Sequence, residues 1–175
     1  SAGGGASWGG AAVDPETGML YVPSRKTHSV MRFREPEPED EATLRYLLSR
    51  GGATFLEGGN ARRGPRMPEG LPLWKPPYSR MTAIDMNAGE HLWMTPLGNG
   101  DRLRNHPLLR DLDLPPLGGD DSRSGPLLTK TLLFIPQGIE SQTLRAFDKD
   151  TGYEVFEMEL PARSSAAPIT YLADG

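Results

Sequence analysis

Three stretches of the chain, 11–23, 79–97 and 143–160, carry the pattern of paired strands. In each, extended apolar-polar segments flank an Asp and a Gly set four residues apart. The residues repeat as well as the pattern. Ala83-Ile-Asp85-Met-Asn87-Ala-Gly89-Glu-His-Leu-Trp93 is matched by Ala146-Phe-Asp148-Lys-Asp-Thr151-Gly152-Tyr-Glu-Val-Phe156. A weaker copy runs Ala12-Val-Asp14-Pro-Glu-Thr17-Gly18-Met-Leu-Tyr21-Val22. Asp hydrogen-bonds the backbone two residues on, and Gly accepts the positive φ that closes the hairpin. One such turn is ordinary. Three, each with a small residue before Asp and a large apolar one after Gly, predict a repeat architecture.

Elsewhere the pattern changes. Residues 1–10 are a Gly/Ala/Ser loop with one Trp, where backbone is able to approach a partner closely. In residues 35–50, acidic residues and Pro38 open a segment in which Leu44, Leu47 and Leu48 recur at helical spacing, and Arg50-Gly51-Gly52 closes it. This predicts a short amphipathic helix within an insertion over about 32–72. Residues 56–72 and 98–124 read as loops, 126–136 as a buried strand, and 167–172 as a further strand. The resulting class is all-β with one short inserted helix.

The wider stretches around the turns carry a family likeness. Trp8-Gly-Gly-Ala-Ala-Val-Asp14-Pro-Glu-Thr-Gly18-Met-Leu-Tyr-Val-Pro23-Ser24, then Lys75-Pro-Pro-Tyr78 with Thr82-Ala-Ile-Asp85, resemble segments of the pyrroloquinoline quinone (PQQ)-dependent dehydrogenases. Arg104-Asn-His-Pro107 and Gly125-Pro-Leu-Leu-Thr-Lys-Thr-Leu132 follow in that family's order. The eleven-residue repeat is similar to its blade-docking motif, in which a Trp four residues after the Gly packs on a neighbouring blade. Trp93 matches that Trp; Phe156 and Val22 depart from it. The resemblance implies a partial β-propeller of about two to three four-stranded antiparallel blades. Residues 1–175 are then expected to be a fragment of a larger enzyme oxidising an alcohol or sugar. The Lys-Pro-Pro-Tyr and Arg-Asn-His-Pro segments look most similar to the glucose/quinate branch.

The same likeness implies PQQ and Ca²⁺ as cofactors, ubiquinone or a cytochrome as electron acceptor, and a periplasmic, possibly membrane-associated location. In the family an Asn-Trp pair at the first hairpin contacts the quinone. Trp8 matches its Trp and Ser7 replaces its Asn, keeping a hydroxyl but losing the amide's reach. The alternative for Trp8 is plain packing between blades, which the Gly-rich approach disfavours. Lys75 is a candidate for pairing with a PQQ carboxylate or polarising a quinone oxygen, against the ordinary reading of a solvated lysine. The family's Ca²⁺ ligands and catalytic Asp lie on other blades and transfer to no residue here, so the fragment alone is expected to be inactive. The rival reading is a non-catalytic quinoprotein-like propeller serving as a scaffold.

Composition narrows the choices further. The chain has no cysteine, which removes disulfide and thiolate-metal arguments, and its net charge of −4 gives no nucleic-acid footprint. Arg102, Arg104, Asn105 and His106 form a polar cluster suited either to a propeller-mouth loop or to stapling that loop together. Asp14, Asp85 and Asp148 occupy the same point of three turns, so their expected role is turn capping. Asp111, Asp113, Asp120 and Asp121 lack the alternation of a calcium loop, and His28 and His91 stand alone.

Overall fold

The computed structural model describes residues 4–6, 9–26, 28, 31–50, 67, 69–119, 124–137, 141–164 and 166–173. Eleven strands in antiparallel sheets dominate the described residues, and the chain divides into two compact units. One unit combines Gly5–Lys26 with Pro76–Gly175 and contains two sheets. The first is built from β1 (Gly5–Ala6), β2 (Ala12–Asp14), β3 (Met19–Arg25), β6 (Ser79–Asp85) and β7 (Glu90–Pro96). Strands β1 and β2 both pair with β3, so they form a single broken edge, followed by β3, β6 and β7. The second sheet runs in order from β8 (Leu127–Leu128) through β9 (Leu132–Gln137) and β10 (Thr143–Asp148) to β11 (Glu154–Glu159). Each is a four-strand-wide meander, and together they are a partial propeller of two blades.

The period-two pattern decides how the blades meet. Register pairs Tyr21 with Ala83 and Pro23 with Met81, placing these residues on one face of the first sheet. Phe147 pairs with Leu133 and Arg145 with Ile135 on one face of the second. Tyr21, Met81, Ala83 and Leu97 form one buried cluster with Leu133, Ile135 and Phe147. The core is therefore a face-to-face contact between consecutive blades.

The three Asp-to-Gly turns form as expected. Gly18, Gly89 and Gly152 have φ of 75°, 74° and 73°, and each donates its N–H to the carbonyl of its turn's Asp at 2.9, 2.7 and 2.9 Å. In the two strong copies a bulge follows Ala83 and Ala146, which brings Trp93 and Phe156 opposite these small residues. That geometry explains why the pattern needs Ala there. The weak copy differs. Its pairing runs without a bulge, Tyr21 rather than Val22 stands opposite Ala12, and the turn belongs to the same sheet as the Asp85 turn. Three turns thus make two blades.

The second unit, Ser1–Gly4 with Thr27–Lys75, corrects the expected helix. Over 35–50 there is one 3-10 turn, Pro38–Asp40, and then strand β5 (Leu47–Arg50), antiparallel to β4 (Met31–Arg34). The helical spacing of the leucines is overridden by the loop before them. Arg34 clamps both oxygens of Asp40 at 2.5 and 2.7 Å, and Glu41 takes a left-handed conformation with φ 47°. The Arg34 guanidinium holds the Asp40 carboxyl down to about 2. The short α-helix of the fold lies instead at α1 (Asp101–Arg104), inside the 98–124 loop. Residues 126–136 form the β8–β9 hairpin around Thr129 rather than one strand, and residues 167–172 carry no strand.

Candidate functional site

The broken edge β1/β2 carries the Gly-rich approach. Gly5 and Gly10 have φ of 98° and 93°, and space beside each Cα is open, so backbone is presented without a side chain in front of it. The neighbouring Gly9 is packed closely: a Cβ on Gly125 would collide with the Gly9 carbonyl. Ser7 and Trp8 lie outside the described residues.

Lys75 is exposed in the other unit, just before the cis Pro76-Pro77 bond, and next to Trp74, whose ring stacks on His28 at 4.1 Å and 11°. Of the expected cofactor residues, then, Lys75 alone is described. The Arg104-His106 cluster staples its own loop. The Arg104 guanidinium donates to the carbonyls of Leu114 and Pro115, the latter at 2.8 Å, while His106 Nδ1 accepts from the Leu108 N–H at 3.2 Å. Gly118 presses this loop so closely on Ser79 that a Cβ would strike the Ser79 carbonyl. His91 is exposed.

The three Asp carboxylates cap turns. Asp14 accepts from the Glu16 N–H at 3.0 Å, Asp85 from the Asn87 N–H at 2.8 Å, and Asp148 from the Thr151 N–H and hydroxyl at 2.8 and 2.7 Å. Asp14 does more. Its Oδ2 meets Lys149 Nζ at 2.6 Å, across the junction between the blades, and both side chains are largely buried. The Lys149 hydrogen bond lowers the Asp14 carboxyl from its ordinary range, and Asp14 in turn raises the ammonium. Sequence reading missed this pair because its partners lie on different blades; the only signal was Lys at the fourth place of the third repeat.

Trp93 completes the junction. Its Nε1 donates to the Lys149 carbonyl at 3.1 Å, its ring lies 5.9 Å from that of Tyr21, and a Cβ on Gly152 would stand 2.5 Å from it. An aromatic ring thus sits directly over the glycine of the next turn, as the docking reading expects. A second unforeseen group is Arg145, buried within the second sheet. Its Nε donates to Gln137 Oε1 at 2.6 Å, Nη1 grips Glu154 at 2.7 and 2.8 Å, and Nη2 pairs with Glu157.

A family model described as "PQQ: Glucose/ethanol/alcohol dehydrogenase, beta-propeller domain" matches residues 1–175. The chain belongs to the PQQ-dependent dehydrogenase β-propeller family. Among its relatives, the glycerol dehydrogenase large subunit of Gluconobacter oxydans (strain 621H) is 32% identical over 98% of this chain and 25% of its own length. The quinate/shikimate dehydrogenase (quinone) of Acinetobacter baylyi (strain ATCC 33305 / BD413 / ADP1) is 28% identical over 97% of this chain and 22% of its own length. The quinohemoprotein alcohol dehydrogenase from Comamonas testosteroni is alike in fold, with a TM-score of 0.52 and 21% identity over 98% of this chain and 21% of that one. The chain spans about a quarter of the curated relatives it matches. Among the described residues no group of three or more acidic, His or Cys side chains is placed to hold a metal ion.

Proposed function

We propose that the protein containing this chain is a quinoprotein dehydrogenase that oxidises an alcohol or sugar, with this chain forming two blades and one wall of the quinone site. The observation that carries the reading is the family match over residues 1–175, supported by the Trp93–Gly152 docking that such blades use. Bound PQQ would supply the two-electron acceptor for the substrate's carbinol hydrogen. The chain's own contribution is binding and orientation. Trp8 offers an aromatic face, Ser7 a hydroxyl, and the Gly9-Gly10 backbone a surface without side chains. Lys75 supplies a fixed positive charge for a carboxylate or quinone oxygen. The proton-accepting carboxylate and the Ca²⁺ ligands belong to other parts of the enzyme, so this chain alone is inactive. Re-oxidation by ubiquinone or a cytochrome, in the periplasm, completes the proposal.

The test is the native polypeptide, first weighed intact and then assayed for dye reduction with glycerol, quinate and glucose after PQQ and Ca²⁺ are added. A species far above 19.1 kDa with PQQ-dependent turnover is the expected result. A native species of 19.1 kDa, or a larger one that binds no PQQ, sinks the proposal. In the active protein, Trp8→Ala and Lys75→Ala should each weaken PQQ binding by about tenfold or more, the equivalent of roughly 1.4 kcal/mol.

A further inference from the structure

The connection from β7 to β8 joins the two blades and is closed on itself. The N–H groups of Leu117, Gly118 and Gly119 donate to the carbonyls of Asn99, Gly98 and Leu97 at 3.0, 3.0 and 3.2 Å, and the Leu117 carbonyl accepts from the Tyr78 N–H at 2.8 Å. Leu97, Gly98 and Gly100 are buried, whereas Asn99 between them is exposed. An asparagine amide carbon is open to attack by the backbone nitrogen of the next residue when that nitrogen is unengaged and no side chain stands in the way. Asn87, Asn99 and Asn105 are the asparagines among the described residues, and they differ on both counts. Asn87 Nδ2 donates to the Thr17 carbonyl at 3.1 Å, and the Ala88 N–H that follows it donates to Asp85 Oδ1 at 3.1 Å. After Asn105, the His106 N–H donates to the Leu103 carbonyl at 3.0 Å. After Asn99 comes Gly100, which has no Cβ. Among the described residues neither the Asn99 amide nor the Gly100 N–H has a hydrogen-bond partner.

We propose that Asn99 is a site of spontaneous deamidation that loosens this loop as the protein ages. The Gly100 nitrogen bonds to Asn99 Cγ, the Cγ–Nδ2 bond breaks, and Nδ2 leaves as ammonia with the Gly100 amide proton. The succinimide ring that results then takes up water. Opening at Cγ gives aspartate; opening at the Asn99 backbone carbonyl carbon gives isoaspartate, whose main chain runs through Cβ and Cγ. Nothing is oxidised or reduced, and water is the co-reactant. The two products act differently on the loop. Aspartate adds a charge and keeps the backbone path. Isoaspartate lengthens the path to Gly100 by a methylene and turns the carbonyl that receives the Leu117 N–H into a free carboxylate. Gly100 has little room to absorb this change. Its Cβ direction lies 3.0 Å from Leu117 Cβ, and its carbonyl is committed to the Leu103 and Arg104 N–H groups at 2.9 and 3.0 Å. The displacement therefore passes to Leu117 and Gly118, where Gly118 is already pressed on the Ser79 carbonyl. The modification is chemistry of this loop and stands independently of any cofactor.

The test is to age the native polypeptide at physiological temperature and mildly alkaline pH, then map its peptides by mass spectrometry. Conversion at Asn99 should outrun that at Asn87 and Asn105 by about tenfold or more, a barrier lower by roughly 1.4 kcal/mol. Labelling with an isoaspartyl methyltransferase should follow the isoaspartate share. Asn99→Gln sets the amide carbon a methylene too far for the same ring to close, so it should abolish both the conversion and the labelling at 99. Circular dichroism checks that this variant folds. Hydrogen exchange at Leu117, Gly118 and Gly119 should accelerate in step with isoaspartate, while Asn99→Asp exchanges as the fresh protein does. A native protein in which Asn99 converts no faster than Asn87 and Asn105 overturns the proposal. Labelling undiminished in Asn99→Gln, or exchange in the loop that stays unchanged as isoaspartate accumulates, overturns it equally.

Discussion

The two blades handle their buried charges differently. At the junction, Asp14 and Lys149 reach across from separate sheets, and Trp93, paired with Tyr21, donates to the Lys149 carbonyl. Within the second sheet, Arg145 is paired, among the described residues, with Gln137, Glu154 and Glu157 of the two flanking strands. The first arrangement ties one blade to the next. The second ties β11 to β10 across their bulge, where Glu154 stands opposite Phe147 and Glu157 opposite Arg145. One charge pair governs how blades stack and the other governs strand register, which separates two functions that a list of salt bridges would merge.

Substitutions should separate them experimentally. Trp93→Ala is expected to cost about 3–4 kcal/mol, within the range for truncating a packed aromatic. It should also split the unfolding transition, because the blades lose a contact that flanks their shared core. A single unaltered transition by calorimetry would show that the blades are coupled by other means. Arg145→Ala should cost about 3 kcal/mol by leaving the buried Gln137 Oε1 without its donor and breaking the ion pairs to Glu154 and Glu157. Its effect should be local, with faster hydrogen exchange in β11 and little change in the first sheet. Exchange accelerating equally in both sheets would erase the distinction. Gly152→Ala should cost about 2 kcal/mol through collision with Trp93 and the positive φ, and less in a Trp93→Ala background.

The smallest effect tests the Asp14–Lys149 pair by pH. Asp14 is lowered from its ordinary 3.8, so its contribution is present above pH 3.8 and is lost as pH falls through the lowered value. Lys149 is raised from 10.5, so its contribution is present below pH 10.5 and is lost as pH rises through the raised value. Asp14→Asn should flatten both limbs of the stability profile. A variant retaining the wild-type limbs would assign them to other groups.

Local chemistry explains which parts of the fold could be read in advance. The hairpins at Gly18, Gly89 and Gly152 depend on an Asp side chain and a positive φ, both encoded within five residues. The 35–50 segment was misread because Leu44, Leu47 and Leu48 suit a helix only if the preceding loop allows one, and Arg34–Asp40 and Glu41 do not. The strong repeats carried the docking of Trp93; the weak copy left the blade count at two to three, and its turn shares a sheet with the Asp85 turn. Of the proposed site, Lys75 and the Gly10 backbone are named by family-like segments alone. The Lys149–Asp14 pair was not, since 134 intervening residues separate its partners in sequence and only blade stacking unites them.

The packing of Trp93 on Gly152 also constrains the order in which the sequence can change. While the ring is present, any side chain at 152 is penalised twice, by collision and by backbone conformation. Once the ring has been lost, only the conformational penalty remains. A large residue at 152 is therefore accessible only after position 93 has shrunk, and restoring Trp93 first requires the glycine back. The two positions form a ratchet in sequence space, with a preferred order of steps in each direction.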